Sequence, residues 1–259
     1  SFIEGIDNSA VSNQWLAENI QQEHGPLGAI YPDVAYGMEG DTPSFLGLIP
    51  NGLNDSEHPN WGGWGGRYEL RIPDRAQTDP DGFTGGVPIP QETRPIWTNA
   101  CDTYQPRVKR SFGQAVGPDG PVHADFRVPI WRWREDFQND FAARMDWTVQ
   151  PYDQANHAPV VKLAHPNRLT LHSGDSFILD ASPSSDPDGD SLSFLWFHYQ
   201  EAGTYPEVIP MWGADNLWRR GFTAPAVQKE ETAHFIVKVT DKGTPPLTRY
   251  ARVIVTILP

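Results

Sequence analysis

The chain has 259 residues, a formal net charge of −13 and a sequence pI of about 4.9. This acidic balance argues against nucleic acid and anionic membranes as partners, because both require basic patches. The single cysteine, Cys101, excludes an internal disulfide and multi-cysteine zinc sites. The sequence has no apolar run of transmembrane length and no signal-peptide pattern.

The first 50 residues predict mixed helix and loop. In SNQWLAENIQQEHG the apolar residues recur at helical spacing, with Ser12 as the N-cap and Gly25-Pro26 as the end. His24, just before that end, either reaches a site or terminates the helix, where the dipole favours it. In EGDTPSFLGLIPNGL, Asp41 stands at an N-cap position and Pro50 ends the element. Its predicted buried face consists of Phe45, Leu46, Leu48 and Ile49.

Two Trp-Gly-Gly units follow in the segment NWGGWGGRYEL. Trp61, Trp64, Arg67 and Tyr68 suggest a sugar platform, because indole rings present flat apolar faces and guanidinium groups donate to hydroxyls. The alternative is a glycine-dense loop packed by its own tryptophans. Both interpretations use the close backbone approach that glycine permits.

From Asp74 to Asp125 the chain is rich in Pro, Gly and Asp, which predicts an insertion lying over the surface of the first domain. Residues 131–149 then predict a helix whose apolar side carries Phe137, Phe141 and Met145. Its polar side carries Asp136, Asp140 and Arg144, the last two forming an i,i+4 pair. This helix is expected to close the first domain.

After Pro159 the hydrophobic period becomes two, which indicates strands. The clearest are SLSFLWFHYQ, HFIVKVTD and YARVIVTI, with Phe235, Val237 and Val239 facing inward and Trp196 in the core. Ser173-Gly174, Asp188-Gly189 and Lys242-Gly243 mark turns. About seven short strands within 100 residues predict a β-sandwich. We therefore predict two domains, at 1–155 and 156–259.

Two short motifs in the chain have competing interpretations. Asp186, Asp188 and Asp190 alternate in SDPDGDS, which suits either Ca²⁺ or a plain Asp-Gly turn between strands. Asn54-Asp55-Ser56 is an N-glycosylation sequon.

Several segments together resemble one known family, commonly labelled cellulose-binding proteins, whose members have a nucleoside-hydrolase-like domain followed by an immunoglobulin-like domain. These segments are WLAENIQQEHGPLGAIY, EGDTPSFLGLIPNGL, GGWGGRYE, WREDFQNDFAARMDW, ANHAPVV, DPDGDSLSFLW, YQEAGTYP and VTDKGTPPLTRYARVIVT. The resemblance implies an α/β fold, the C-terminal part of an open-sheet domain, joined to an all-β immunoglobulin-like sandwich. It also implies an N-terminal half that is not in this chain, and Ser1-Phe2-Ile3 is not a typical translation start.

The resemblance further implies one late Ca²⁺ ligand, an Asp immediately before a helix, and Asp41 matches that place. Gly40 stands where true nucleoside hydrolases usually have His. With Glu39, Asp41 becomes the catalytic candidate for water attack on a sugar bond, with Ca²⁺ as cofactor. The alternative is that Asp41 only caps its helix. His24, Trp61, Trp64 and Arg67 are the candidate ligand-binding residues.

Three functions remain open at this point. The first is a hydrolase of glycosidic or N-ribosidic bonds, acting on a carbohydrate or nucleoside-like ligand and needing an N-terminal fragment of the same precursor. The second is a non-catalytic cellulose- or polysaccharide-binding protein. The third is a structural appendage that only orients its neighbour. For each of them we expect a secreted, extracellular protein.

Overall fold

The computed structural model describes residues 8–34, 43–72, 93–108, 117–118 and 120–259. None of the helices in these ranges is long and apolar enough to cross a membrane. Asp41 and Glu39 lie outside the described residues. The architecture is rich in small sheets and contains few helices.

The N-terminal segment forms short helices. A 3₁₀ turn at Ser9–Val11 leads into α1 (Asn13–Leu16), which continues as a π-helical turn over Ala17–Gln21. The predicted cap is confirmed, since the Ser12 hydroxyl accepts the Trp15 amide at 3.1 Å. Gly25-Pro26 does more than end this helix. It also begins α2 (Gly25–Ala29), because proline fits a first helical turn.

The element at Pro43–Leu48 is a 3₁₀ helix, and its predicted buried face is only half correct. Leu46 and Ile49 pack against the core, whereas Phe45 is 52% and Leu48 is 74% exposed. The reason is the 3₁₀ repeat of three residues per turn, which places Leu46 and Ile49 on one side and Phe45 and Leu48 on another.

The middle of the chain forms two-stranded antiparallel ribbons. They pair β1 (Tyr68–Arg71) with β2 (Ile96–Asn99), β3 (Asp102–Tyr104) with β6 (His123–Asp125), and β4 (Arg107–Val108) with β5 (Gly117–Pro118). The described residues before 156 contain no parallel open sheet. That part of the expected α/β fold is therefore not formed by this stretch.

Helix α4 (Arg134–Asp146) confirms the helix predicted over 131–149, and a short helix, α3 (Val128–Trp131), precedes it. The predicted polar side of α4 is corrected. Asp136 is 3% and Asp140 is 1% exposed, while Phe137 is only partly buried. These carboxylates are buried because cationic and hydroxyl groups of the C-terminal strands cover them.

The C-terminal half consists of seven strands in two sheets. The strands are β7 (Arg168–His172), β8 (Ser176–Asp180), β9 (Ser193–His198), β10 (Met211–Trp212), β11 (Arg219–Thr223), β12 (Glu231–Thr240) and β13 (Thr248–Leu258). One sheet has the order β7-β13-β12-β9, with β7 and β13 parallel, and the other has the order β10-β11-β8.

An apolar core lies between these two sheets. Phe222 of β11 stacks on Phe235 of β12 at 4.2 Å between ring centroids. The inward positions predicted for Phe235, Val237 and Val239 are confirmed, since all three are 0% exposed, as is Trp196. The period-two pattern predicts these positions because successive strand residues point to opposite faces.

A second core joins the two halves of the chain. Leu53, Trp64 and Trp133 from the first half pack with Tyr199, Ile236 and Tyr250 from the C-terminal half. The outer side of the four-stranded sheet is therefore covered by the first half, and the loop after Asn51 is held against β13.

Candidate functional site

Of the predicted site residues, Asp41 and Glu39 lie outside the described residues, so the Ca²⁺ prediction remains a prediction. Within the described ranges, no three His, Cys, Asp or Glu side chains are grouped so as to hold a metal ion. At Asp186, the structure forms the Asp-Gly turn. The amides of Asp188 and Asp190 both donate to one Asp186 carboxylate oxygen, at 2.9 and 3.1 Å.

His24 links two helices. Its Nδ1 lies 2.6 Å from the Asp146 carboxylate at the end of α4, and its Nε2 lies 3.2 Å from the Glu18 carbonyl. Both ring nitrogens are engaged within the protein, which favours the helix-terminating interpretation of His24.

Trp64 is a core residue. Its side chain is 0% exposed, its indole N–H donates to the Tyr250 hydroxyl at 3.2 Å, and Phe137 and Tyr250 contact its ring edge-on. No face of this ring is open to a sugar.

Arg67 is held in a buried ion-pair network. Its Nε donates to Asp102 at 2.6 Å and a terminal nitrogen donates to the Cys101 carbonyl. The other Asp102 oxygen accepts from the Tyr199 hydroxyl at 2.6 Å and from Arg132 at 3.2 Å. Burial lowers the pKa of Arg67, but Asp102, with Tyr199 and Glu201, raises it, and the pKa lies above its usual value. Through Asp102 of β3, this network links Arg67 in the first half to Tyr199 in the C-terminal half.

Arg67 lines a pocket beside β1 and β2. Trp61 lines a different, open cleft. The cleft, of about 510 Å³, separates the 52–61 loop from the outer side of β7 and β13. Its polar lining includes Asp55, His165, Asn167 and Arg168. It therefore combines one aromatic wall with hydrogen-bonding groups from both halves of the chain.

Arg252 fixes this wall in place. One terminal nitrogen of Arg252 donates to the carbonyls of Leu53 and Gly62, at 3.0 and 2.8 Å, which clamps the loop onto β13. The other lies 3.0 Å from Nδ1 of His234. Because arginine only donates, His234 accepts with a neutral ring. Burial, followed by the charge of Arg252, lowers the pKa of His234 to about 3.

The Trp61 ring is held on several sides. His58 stacks on it at 3.7 Å with a 7° interplanar angle, and His58 in turn bonds Asp55 at 3.0 Å. The guanidinium carbons of Arg168 and Arg252 lie 5.6 and 5.7 Å from the ring centroid. The indole is thus a rigid wall, positively charged on its sheet side.

His58, Arg168 and Arg252 were not among the predicted site residues. No local sequence pattern predicts that these residues lie together, because Arg252 is 190 residues from Gly62 in the sequence. The predicted N-glycosylation sequon at Asn54 is occupied by internal hydrogen bonds. The Asn54 amide nitrogen donates to the carbonyls of Leu46 and Ile49, at 2.7 and 2.8 Å, so in the folded chain it is not free to carry a glycan.

Comparisons with known proteins agree with the resemblance seen in the sequence. The family model "Cellulose-binding Sde182, nucleoside hydrolase-like domain" matches residues 2–68. The model "Cellulose-binding protein Sde0182, C-terminal domain" matches residues 176–257. No curated protein matches.

Among solved structures, the chain is similar to a nucleoside hydrolase-related hypothetical protein from Saccharophagus degradans, described as associated with carbohydrate metabolism. The identity is 31% and the TM-score 0.69, over 95% of this chain and 54% of that one. This chain thus spans about half the length of its match. An extracellular cadherin-domain structure of protocadherin gamma B7 matches with 12% identity and a TM-score of 0.21, over 39% of this chain and 25% of that one, which is too low to support a fold assignment.

Proposed function

We propose that this chain, similar at both ends to cellulose-binding proteins with a nucleoside-hydrolase-like domain, binds carbohydrate in the cleft beside Trp61. The observation that carries the proposal is the rigid, partly exposed indole facing a cleft with amide, carboxylate and guanidinium groups. This combination suits a sugar, because sugar C–H groups can pack on the exposed part of the indole while the hydroxyls bond to donors and acceptors. Family similarity supports carbohydrate as the ligand class.

Calorimetry with soluble cello-oligosaccharides tests this proposal. We expect the Trp61→Ala protein to bind at least tenfold more weakly than the wild type, a loss of about 1.4 kcal/mol. Trp97→Ala is the matched control, because Trp97 is 48% exposed on β2, away from the cleft lining. Equal affinity in the wild type and Trp61→Ala would exclude the cleft as the binding site.

We also propose a hydrolytic function, supported by the nucleoside-hydrolase-like match, which spans Glu39 and Asp41. The carboxylates of these two residues are oxygen donors of the kind that Ca²⁺ prefers, and a bound Ca²⁺ would orient and polarise a water. Asp41 would accept the proton of that water as a glycosidic or N-ribosidic bond breaks. This function requires the N-terminal part of the same precursor as a partner.

The hydrolytic proposal has its own test, on the chain combined with the N-terminal part of its precursor. We expect Asp41→Asn to abolish hydrolysis and to weaken Ca²⁺ binding in calorimetry. Hydrolysis by the 259-residue chain alone would contradict the need for a second part. Unchanged Ca²⁺ binding in Asp41→Asn would remove Asp41 as a ligand.

Two further assignments belong with this proposal. An insoluble glucan is encountered outside the cell, which supports a secreted location. The two-sheet packing of the C-terminal half supports an immunoglobulin-like sandwich, with the nucleoside-hydrolase-like open sheet completed by other parts of the precursor.

A further inference from the structure

The outward face of the three-stranded sheet β10-β11-β8 carries an exposed apolar row formed by Trp212, Gly221 and Ile178. In the strand register Trp212 lies opposite Gly221, and Gly221 lies opposite Ile178. Trp212 is 50% and Ile178 is 49% exposed, while the alternate residues Phe222 and Leu179 are 0% exposed in the core. The apolar row is therefore on the solvent side of the sheet, where strand alternation would ordinarily place polar residues.

The indole of Trp212 lies over Gly221. A β-carbon added to Gly221 would come within 2.0 Å of the six-membered ring of the indole. Only glycine at this position lets the ring rest on the neighbouring strand. One face of the indole thus contacts the backbone of β11, and the remaining exposed surface of Trp212 faces solvent.

Hydrogen-bonding pairs flank this row on both sides. The hydroxyls of Ser176 and Thr223 lie 2.9 Å apart in one direction along the strands. In the other direction Arg219 and Asp180 form an ion pair at 2.7 Å. Each pair is two residues from the apolar row, roughly 7 Å at the usual rise per strand residue.

The Arg219 guanidinium is available at this surface. Its side chain is 63% exposed, and among the described residues its single bonded contact is through Nε to Asp180. Its terminal nitrogens are thus open to a ligand hydroxyl.

The geometry points to a second carbohydrate-binding surface on this face, one that takes a β-linked glucan chain lying flat, as on an insoluble fibre. A pyranose ring with equatorial substituents presents a flat C–H face to the indole and its hydroxyls at the rim, where the two polar pairs lie. This inference rests on the proposed carbohydrate-binding function. It differs in site and in ligand form, since an open sheet face suits an extended surface and the Trp61 cleft suits a short soluble chain.

Two observations favour a glucan over a second copy of the chain. The formal charge of −13 opposes self-association. The matched C-terminal domain of a cellulose-binding protein spans residues 176–257, which include every member of this face and none of the 52–61 loop. The apolar row was not identified from the sequence, because Trp212 and Ile178 are 34 residues apart and are brought together by β11.

Retention on microcrystalline cellulose is the test, with the whole 259-residue chain. We expect Trp212→Ala to reduce retention at least tenfold and Trp212→Phe to restore part of it, because a smaller ring still presents a flat face. Trp97→Ala, with an indole of similar exposure on β2, should be retained like the wild type. Melting temperatures of all variants show whether each is folded.

The two sites are separated by two readouts. If both proposals hold, Trp212→Ala keeps its affinity for soluble cello-oligosaccharides while losing retention. Weaker binding of soluble cello-oligosaccharides by Trp61→Ala supports the cleft proposal, independently of the result for Trp212→Ala. Wild-type retention of Trp212→Ala would overturn the sheet-face inference and leave the cleft proposal intact. Concentration-dependent dimers of the wild type that Trp212→Ala abolishes would also overturn it.

Discussion

At the scale of single residues, two residues of the same type can have different roles because their surroundings differ. Trp61 lines a cleft, whereas Trp64, three residues later, is fully buried against Tyr250. Arg67 neutralises Asp102, while Arg252 is buried against carbonyl oxygens and a neutral histidine. The environment that each side chain meets, and not its type, decides between structure and binding.

The stability of tryptophan variants follows from this difference. We expect Trp64→Ala to lower the free energy of unfolding by about 3–5 kcal/mol, the usual cost of deleting a large buried side chain. Trp61→Ala should cost much less, because its ring is partly exposed. Urea unfolding followed by circular dichroism measures both, and equal losses would contradict the placement of the two rings.

Two buried histidines make stability depend on pH. Burial lowers the pKa of His198 to about 4, and burial with Arg252 lowers that of His234 to about 3. Nδ1 of each faces a donor, the Ile209 amide for His198 and Arg252 for His234. Unfolded histidine titrates near 6.5. Between about pH 6.5 and 4 the unfolded chain therefore binds more protons than the folded one, and stability falls as the pH falls.

Each histidine contributes a slope on the order of 1 kcal/mol per pH unit within that window. Urea unfolding at pH 7 and pH 5 measures the slope, and His198→Gln and His234→Gln should each make it shallower. A slope unchanged in both variants would show that other groups cause the acid sensitivity.

At the scale of elements, helix α4 is attached to the strands through its acidic side. Asp136 accepts from Lys238 at 2.5 Å, from Thr248 at 3.2 Å and from the Tyr250 hydroxyl. Asp140 pairs with Arg249 at 3.0 Å and with Arg144 at 2.7 Å. Burial lowers the pKa of Lys238, but Asp136, with Glu135 and Tyr104, raises it, and the pKa lies above its usual value. Charged pairing therefore sets how this helix docks.

Removing one partner of this buried group should be costly. We expect Asp136→Ala to lower the free energy of unfolding by about 3–5 kcal/mol, because it leaves Lys238 without its carboxylate. Arg144→Ala is the control on the same helix. It should cost far less, since that side chain is 45% exposed and Asp140 keeps Arg249. Similar losses in the two variants would contradict the docking role of Asp136.

At the scale of the whole molecule, the described parts of the two halves share one apolar layer. Tyr199 and Ile236 are 0% exposed, and they belong to the same buried cluster as Leu53, Trp64 and Trp133 of the first half. The cleft at Trp61 likewise has one wall from each half. The C-terminal strands therefore form part of the candidate site, in addition to packing against the first half.

A chain reduced to residues 156–259 tests this coupling. It should melt at a lower temperature than the whole chain and bind a hydrophobic dye, because the outer side of the four-stranded sheet is uncovered. Thermal unfolding and dye fluorescence measure both effects. Equal melting temperatures without dye binding would show that the C-terminal half is self-sufficient.

The sequence by itself determined the local features of this protein. Period-two alternation placed Phe235, Val237 and Val239 in a core, helical spacing predicted a helix over 131–149, and Ser12 marked a helix start. Each of these patterns depends on neighbours within a few residues. The quoted segments also carried the family resemblance, which the domain models match at 2–68 and 176–257.

Only the tertiary structure decided which side chains are open to a ligand. The acidic side of α4 is buried because Lys238 and Arg249 are about 100 residues away in sequence but adjacent in space. Trp61 lines the cleft because Arg252 holds its loop against β13, whereas Trp64 is buried against Tyr250. The apolar row at Trp212 depends on the strand register. Such contacts depend on long-range packing, which a local pattern of residue types does not encode.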